Sequence, residues 1–286
     1  MTLKNHAILL ISCTDRKGLL SIITQFLYQH NGNIVDLDEH VDKQQGLFFM
    51  RVEWELEGFD LDQIEIEKEL KKELFADYEM KWQLFFTSRK PRMAIFVSKA
   101  SHCLYDILAR YYSGEWQVEI PLIISNHLVH HDVADRYQIP FYFFDVAEAN
   151  KTEVEQEQLT LLKEKEVDFL ILARYMQILS EDFIKHYPNK IINIHHSFLP
   201  AFAGAKPYHR AYDRGVKIIG ATSHYVTADL DAGPILEQEV TKISHKDEVE
   251  DLIRKGKDLE KIVLSRAIWI HLQRKALVYQ NKTIIF

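Results

Sequence analysis

The chain has 286 residues and a formal net charge of −7, from 35 Lys and Arg against 42 Asp and Glu. That length fits one large domain or two ordinary ones, and a 47% hydrophobic fraction can fill real cores. The acidic balance gives no electrostatic ground for nucleic-acid binding, and the lack of any run of about 18 apolar residues argues against a membrane span.

Residues 6–13 (HAILLISC) predict a buried strand, not a signal peptide, because a polar turn follows with no small-residue cleavage site. In that turn, Thr14 or Asp15 is the expected cap of a helix. Leu19, Leu20, Ile22, Ile23, Phe26 and Leu27 recur at helical spacing, so the helix runs to about His30. Asn31-Gly32-Asn33 is expected to end it, with Gly32 able to take positive φ. Strands follow at 34–41 and 47–56, then a charged amphipathic helix at 61–74 with a solvated face, then a strand at 79–87. The order βαββαβ predicts a ferredoxin-like antiparallel sheet with two helices on one face.

Ser88-Arg89-Lys90-Pro91-Arg92 reads as a linker, which divides the chain into residues 1–88 and 89–286. Beyond it the grammar becomes α/β. Strands are expected at 93–97, 118–125, 140–146 and 167–173, with helices at 102–112, 129–137 and 154–165. Such alternation predicts an open, mostly parallel, Rossmann-like sheet covered on both faces. Ligands bind outside the carboxyl ends of such strands. Asn193 is read as ending a strand at 190–194, and Asp231 as lying just beyond one at 217–226. A long helix at 249–277 and a strand or hairpin arm at 278–286 complete the chain.

The stretch Asn193-Ile194-His195-His196-Ser197-Phe198-Leu199-Pro200, with Leu230-Asp231-Ala232-Gly233-Pro234 after it, carries the chemistry. It offers an amide, an imidazole and a carboxylate, each near a turn-forming or small residue. Brought together, they stabilise an oxyanion and move a proton at an acyl carbon, with no nucleophilic serine or cysteine.

NIHHSFLPAF, LDAGPI and the intervening GVKIIGATSHYVT resemble the formyltransferase fold that handles 10-formyltetrahydrofolate, over roughly residues 92–280. The resemblance implies that Asn193, His195 and Asp231 surround the formyl carbon. It further implies that LARYMQILSEDF is the loop holding the pterin ring, with Met176, Gln177, Ile178, Leu179 and Val226 as folate-binding residues. Residues 7–86 resemble an ACT domain through DRKGLLSIITQFLYQHNGNI, with Gly18 at the strand-to-helix turn. That fusion is similar to the formyltetrahydrofolate deformylases. Two details agree: Ser98-Lys99-Ala100-Ser101-His102-Cys103-Leu104 has no glycine where transferases cradle a phosphate, and His196 with Phe198 matches the deformylase form HHSFLPAF.

The implied reaction is hydrolysis to formate and tetrahydrofolate, which would balance one-carbon folate pools and supply formate for purine synthesis. Asn193 and His195 would donate to the oxyanion, and Asp231 would orient water and accept its proton. The alternative is formyl transfer to a small amine. No cofactor is expected beside the folate substrate. A homo-oligomer, dimer or tetramer, is expected through the ACT domain, with glycine or methionine as guessed effectors and the cytoplasm as compartment.

His196 and His224 are candidate supporting residues, or plain packing neighbours. No metal is expected, since His130-His131 and His195-His196 lack i, i+4 spacing and nearby paired carboxylates or thiolates. Cys13 and Cys103 are too far apart for a disulfide framework, and Cys103 reads as a buried inert thiol. Lys99 and Lys206 either face the glutamate tail of a folate or lie in solvent.

Overall fold

A computed structural model describes residues 5–75, 79–201 and 207–286, which form two compact units. The first comprises Met1–Lys90 together with Arg274–Leu277 and Ile284–Phe286; the second comprises Pro91–Gln273 and Val278–Thr283.

The first unit runs β1 (His6–Thr14), α1 (Leu19–Gln29), β2 (Ile34–Asp42), β3 (Leu47–Glu55), α2 (Gln63–Leu70) and β4 (Lys81–Phe86). The strands form an antiparallel sheet in the order β2-β3-β1-β4. Period-two alternation sends Leu9, Ile11 and Trp54 into one cluster with Phe26, Leu27, Ile66 and Leu70 of the helices. Ile8 and Leu10, on the other face of β1, are also buried, which is why that strand reads as an unbroken apolar run.

Three local expectations need correction. Neither Thr14 nor Asp15 caps α1; Gly18 precedes the helix at φ 92° with no side-chain cap. At the other end Asn31, not Gly32, takes the left-handed conformation, at φ 61°. Gly32 serves space instead, because a Cβ there would lie 2.9 Å from the Leu27 carbonyl oxygen and 3.0 Å from the Phe59 ring. The helix expected at 61–74 starts later, after Asp62 and Glu65 form a reciprocal capping box, and ends as a π-helical turn, Lys71–Phe75.

The second unit runs β5 (Arg92–Val97), α3 (His102–Tyr112), β6 (Glu119–Ser125), α4 (His131–Arg136), β7 (Phe141–Phe143), α5 (Lys151–Glu164), β8 (Phe169–Ala173), α6 (Glu181–Ile184), β9 (Ile191–His195), α7 (Pro207–Arg214), β10 (Ile218–Tyr225), β11 (Ile235–Lys242) and α8 (Val249–Leu272). A short hairpin of β12 (Ala276–Tyr279) and β13 (Lys282–Ile285) ends the chain. The seven-stranded sheet has the order β11-β10-β9-β8-β5-β6-β7. The strands β7, β6, β5, β8 and β9 pair in parallel, whereas β10 runs antiparallel to both β9 and β11. The sheet is therefore mostly parallel, with an antiparallel edge.

That edge changes how the site is reached. Asn193 is the third of five residues in β9, not its end. Because β10 is antiparallel, its own end, Tyr225, pairs with Ile192 near the start of β9. Asp231 is placed by the loop between β10 and β11, closed where the Tyr225 N–H donates to the Pro234 carbonyl. The strand β11 and helices α6 and α7 have no counterpart in the sequence reading. The first is an edge strand with Glu237, Glu239 and Lys242, whose charges hide its β pattern and protect the edge. The final helix stops at Leu272, and Leu277 lies in β12. Among the described residues no helix is long and apolar enough to cross a membrane.

Candidate active site

Asn193 and His195 sit two residues apart on β9, so the pleat presents both side chains on one face. Across the antiparallel pairing, His224 faces Asn193 and Thr222 faces His195. Thr222 Oγ1 donates to the Ser197 carbonyl and accepts from Leu199 N–H and Gln238 Nε2, which pins the chain just beyond His195.

The loop after β10 is equally constrained. A Cβ on Gly233 would lie 1.8 Å from the Tyr225 carbonyl oxygen, so only glycine allows that crossing. Asp231 itself holds φ 55°, a conformation that aspartate tolerates better than most residues. Asn281 Nδ2, from the turn between β12 and β13, donates to the Ala232 carbonyl at 2.8 Å.

These devices bring Asp231 Oδ2 to 3.2 Å from His195 Nδ1, and Oδ1 to 3.7 Å from His224 Nε2. Hydrogen bonding from His195 above all holds the Asp231 carboxyl well below the usual carboxylate range. His195 is 6% exposed, and its Nε2 is buried with no hydrogen-bond partner among the described residues. A buried unpartnered imidazole nitrogen is costly in a purely structural role. It is what a group waiting for substrate looks like.

His224 orients the amide. Its Nδ1 lies 2.9 Å from the Tyr225 carbonyl oxygen, which only accepts, so Nδ1 carries the proton. In the neutral ring Nε2 then accepts from Asn193 Nδ2, at 3.3 Å. The 3.7 Å to Asp231 is beyond direct hydrogen-bond reach, so the Asn193 contact governs the tautomer. Among the described residues the second Asn193 N–H has no partner, which leaves it for a ligand.

All three groups line one cavity of about 690 Å³. One wall is apolar, built from Leu172, Tyr175, Met176, Ile178, Leu179 and Val226, and Gln177 also lines it. Met176 is 62% exposed and Ile178 60% exposed, an unusual state for apolar side chains unless a ligand covers them. The loop carrying them is anchored by Ser98 Oγ, which accepts from Met176 N–H and donates to Asn126 Oδ1. The structure therefore gathers every residue expected at the site: Asn193, His195, Asp231, Met176, Gln177, Ile178, Leu179, Val226, His196 and His224.

The other end of the cavity is polar, and the sequence reading missed it. His102, Arg174, Tyr208, His209, Lys257 and Glu260 line it. Two signals were present: Glu260 interrupts the apolar stripe of Leu259, Val263 and Leu264, and Gly256 sits inside a long helix. Lys99 is exposed and outside the cavity wall, and Lys206 lies outside the described residues. Cys103 is buried, and burial pushes its thiol well up, as expected of an inert cysteine.

The sequence pattern of the formyl transferase family matches residues 91–268, and that of the ACT domain matches residues 7–75. The chain is 52% identical to a formyltetrahydrofolate deformylase of Synechocystis sp., over 98% of either protein. It is 45% identical to one of Bacillus subtilis, covering 97% of this chain and 93% of that one. The crystal structure of a formyltetrahydrofolate deformylase from Pseudomonas syringae pv. tomato, 41% identical, superposes with a TM-score of 0.96 over 99% of this chain and 95% of its own. Two motifs, two domains and near-complete coverage agree: this chain belongs to the formyltetrahydrofolate deformylase family.

Proposed function

We propose that the protein hydrolyses 10-formyltetrahydrofolate to formate and tetrahydrofolate, with Asn193, His195 and Asp231 as the catalytic residues and no cofactor beside the folate. The observation that supports this is that they line one cavity together with an exposed apolar wall. The wall of Met176, Ile178, Leu179 and Val226 suits a pterin ring, and Gln177 beside it suits the ring's polar edge.

Water attacks the formyl carbon and a tetrahedral intermediate forms. The free N–H of Asn193 donates to the oxyanion, oriented in advance by His224. The proton released by the water passes to the coupled His195–Asp231 pair and from there to N10, as the carbon–nitrogen bond breaks. Asp231 alone is a weak base, because its carboxyl is held low. Its part is to keep the His195 proton on Nδ1 and offset positive charge on the ring.

The test is formate release from 10-formyltetrahydrofolate with no amine added. Steady turnover with stoichiometric formate and tetrahydrofolate supports the reading. Formyl transfer that appears only when an amine is supplied would sink it.

The ACT-like unit, residues 1–88, serves regulation and homo-oligomer assembly in this reading, with an amino acid such as glycine or methionine as effector. Residues 89–286 are the catalytic part. Free formate for purine synthesis is the metabolic output, and two free buried cysteines suit the cytoplasm. Identical kinetics with and without those amino acids would remove the regulatory claim.

A further inference from the structure

Glu260 is 1% exposed on α8 and carries its carboxylate into the polar end of the cavity. Burial disfavours the charge, but His102 and the Arg174 guanidinium together keep its pKa lowered. Oε2 lies 2.7 Å from His102 Nε2 and 3.3 Å from Arg174 Nε, and Oε1 accepts from the Tyr208 hydroxyl at 2.7 Å. The Arg174 contact is an ion pair whose Nε–H points off line for a hydrogen bond.

Two costs in the backbone show that this cluster is built. Gly256 stands inside α8, where glycine is unfavourable, and a Cβ there would lie 2.0 Å from the Tyr208 hydroxyl. Arg174 holds φ 62° directly after β8, a conformation disfavoured for a residue with a Cβ. Both place a side chain against Glu260.

The other side of Arg174 meets His196, its Nη1 in short contact with Nδ1 of the ring. A guanidinium only donates, so His196 Nδ1 accepts and the single ring proton stays on Nε2. The ring lines the cavity with its centroid 5.2 Å from that of His195 and 5.9 Å from that of Tyr208.

We propose that Arg174, aimed by Glu260, is a positioning residue that locks His196 as a neutral Nε2–H donor beside His195 at the polar end of the cavity. The proposal rests on the hydrolytic reading of the cavity. A free histidine there would take up the proton that His195 and Asp231 must pass to N10, and would set a second cation beside His195. The groups facing the ring are Arg174, Glu260, His195, Asp231 and Tyr208. Burial first, then Arg174, push its pKa down to about 4, so His196 donates without competing for that proton.

The test is nitrogen-15 NMR of histidine-labelled full-length protein, with the His196 signals identified by their loss in His196→Gln. Wild type should show an acceptor-type Nδ1 and a protonated Nε2 down to about pH 5, one unit above the value near 4. In Arg174→Ala, the ring should mix tautomers and titrate higher than in wild type, with burial still holding it below 6.5, and kcat should fall about tenfold with little change in KM. Arg174→Lys, which keeps the charge, should restore part of both. Glu260→Gln should loosen the tautomer preference while keeping the shape. An unchanged His196 tautomer and titration in Arg174→Lys, Glu260→Gln and Arg174→Ala would overturn the proposal, even if activity fell. The NMR readout concerns the resting protein, so a protein that releases no formate tests the hydrolytic reading separately.

Discussion

At Asn193, one amide hydrogen meets His224 and the other has no partner among the described residues, so in the proposed reaction its removal costs an oxyanion donor and little binding. Asn193→Ala should lower kcat by about 10²–10³-fold with KM nearly unchanged, read from formate release. His196 supplies a pH signature of stability. Its folded pKa, about 4, lies below the ordinary 6.5, so the unfolded chain binds more protons between those values. Its contribution is complete above 6.5 and is lost as pH falls toward 4. Urea unfolding should show stability declining across that window, and His196→Gln should flatten the decline. Both histidines of the HH doublet were visible in the sequence. Their different states, one coupled to Asp231 and the other to Arg174, follow from neighbours 36 and 22 residues away and were not.

At the scale of elements, α8 tests which effect governs a glycine. Helix propensity alone favours Gly256→Ala by roughly 1 kcal/mol. The added methyl meets a Tyr208 hydroxyl tied to Glu260, and overpacking costs about 1–3 kcal/mol. The substitution should therefore destabilise, seen as a lower Tm. The loop after β10 offers a second case. Asn281 holds the Ala232 carbonyl next to Asp231, and an exposed hydrogen bond contributes roughly 1 kcal/mol. Asn281→Ala should lower kcat several-fold while leaving Tm nearly unchanged. An unaltered kcat would show that Gly233 and Tyr225 alone hold the loop. Strands of continuous apolar residues, such as Phe169–Ala173, were legible because burial on both faces leaves no alternation to decode. The edge strand β11 was not, because its solvent side is charged.

At the scale of the whole molecule, the first unit includes residues from both ends of the chain. Arg274–Leu277 and Ile284–Phe286 group with Met1–Lys90, and the Arg274 guanidinium lies 4.3 Å from the centre of the Phe85 ring. Deleting residues 274–286 should therefore speed hydrogen exchange in β1 and β4 more than in β5 and β8. Equal exchange in the two sets of strands would show that the first unit is complete without them. A single cut after residue 88 does not express this grouping, since local composition carries no sign of which distant segment a hairpin joins.

The sequence by itself determined the order of elements apart from α6, α7 and β11, the two families it resembles, and the three groups that the proposed reaction uses. Period-two and helical spacing are local, and Asn193 and His195 share a face for that reason alone. Tertiary structure decided how Asp231 arrives, through a loop on an antiparallel edge that glycine and Asn281 hold in place. It also decided the polar end of the cavity, where Arg174, Tyr208 and Glu260 meet from three separate elements. A buried charge needs partners in space, and the spacing of residues along the chain does not say which ones.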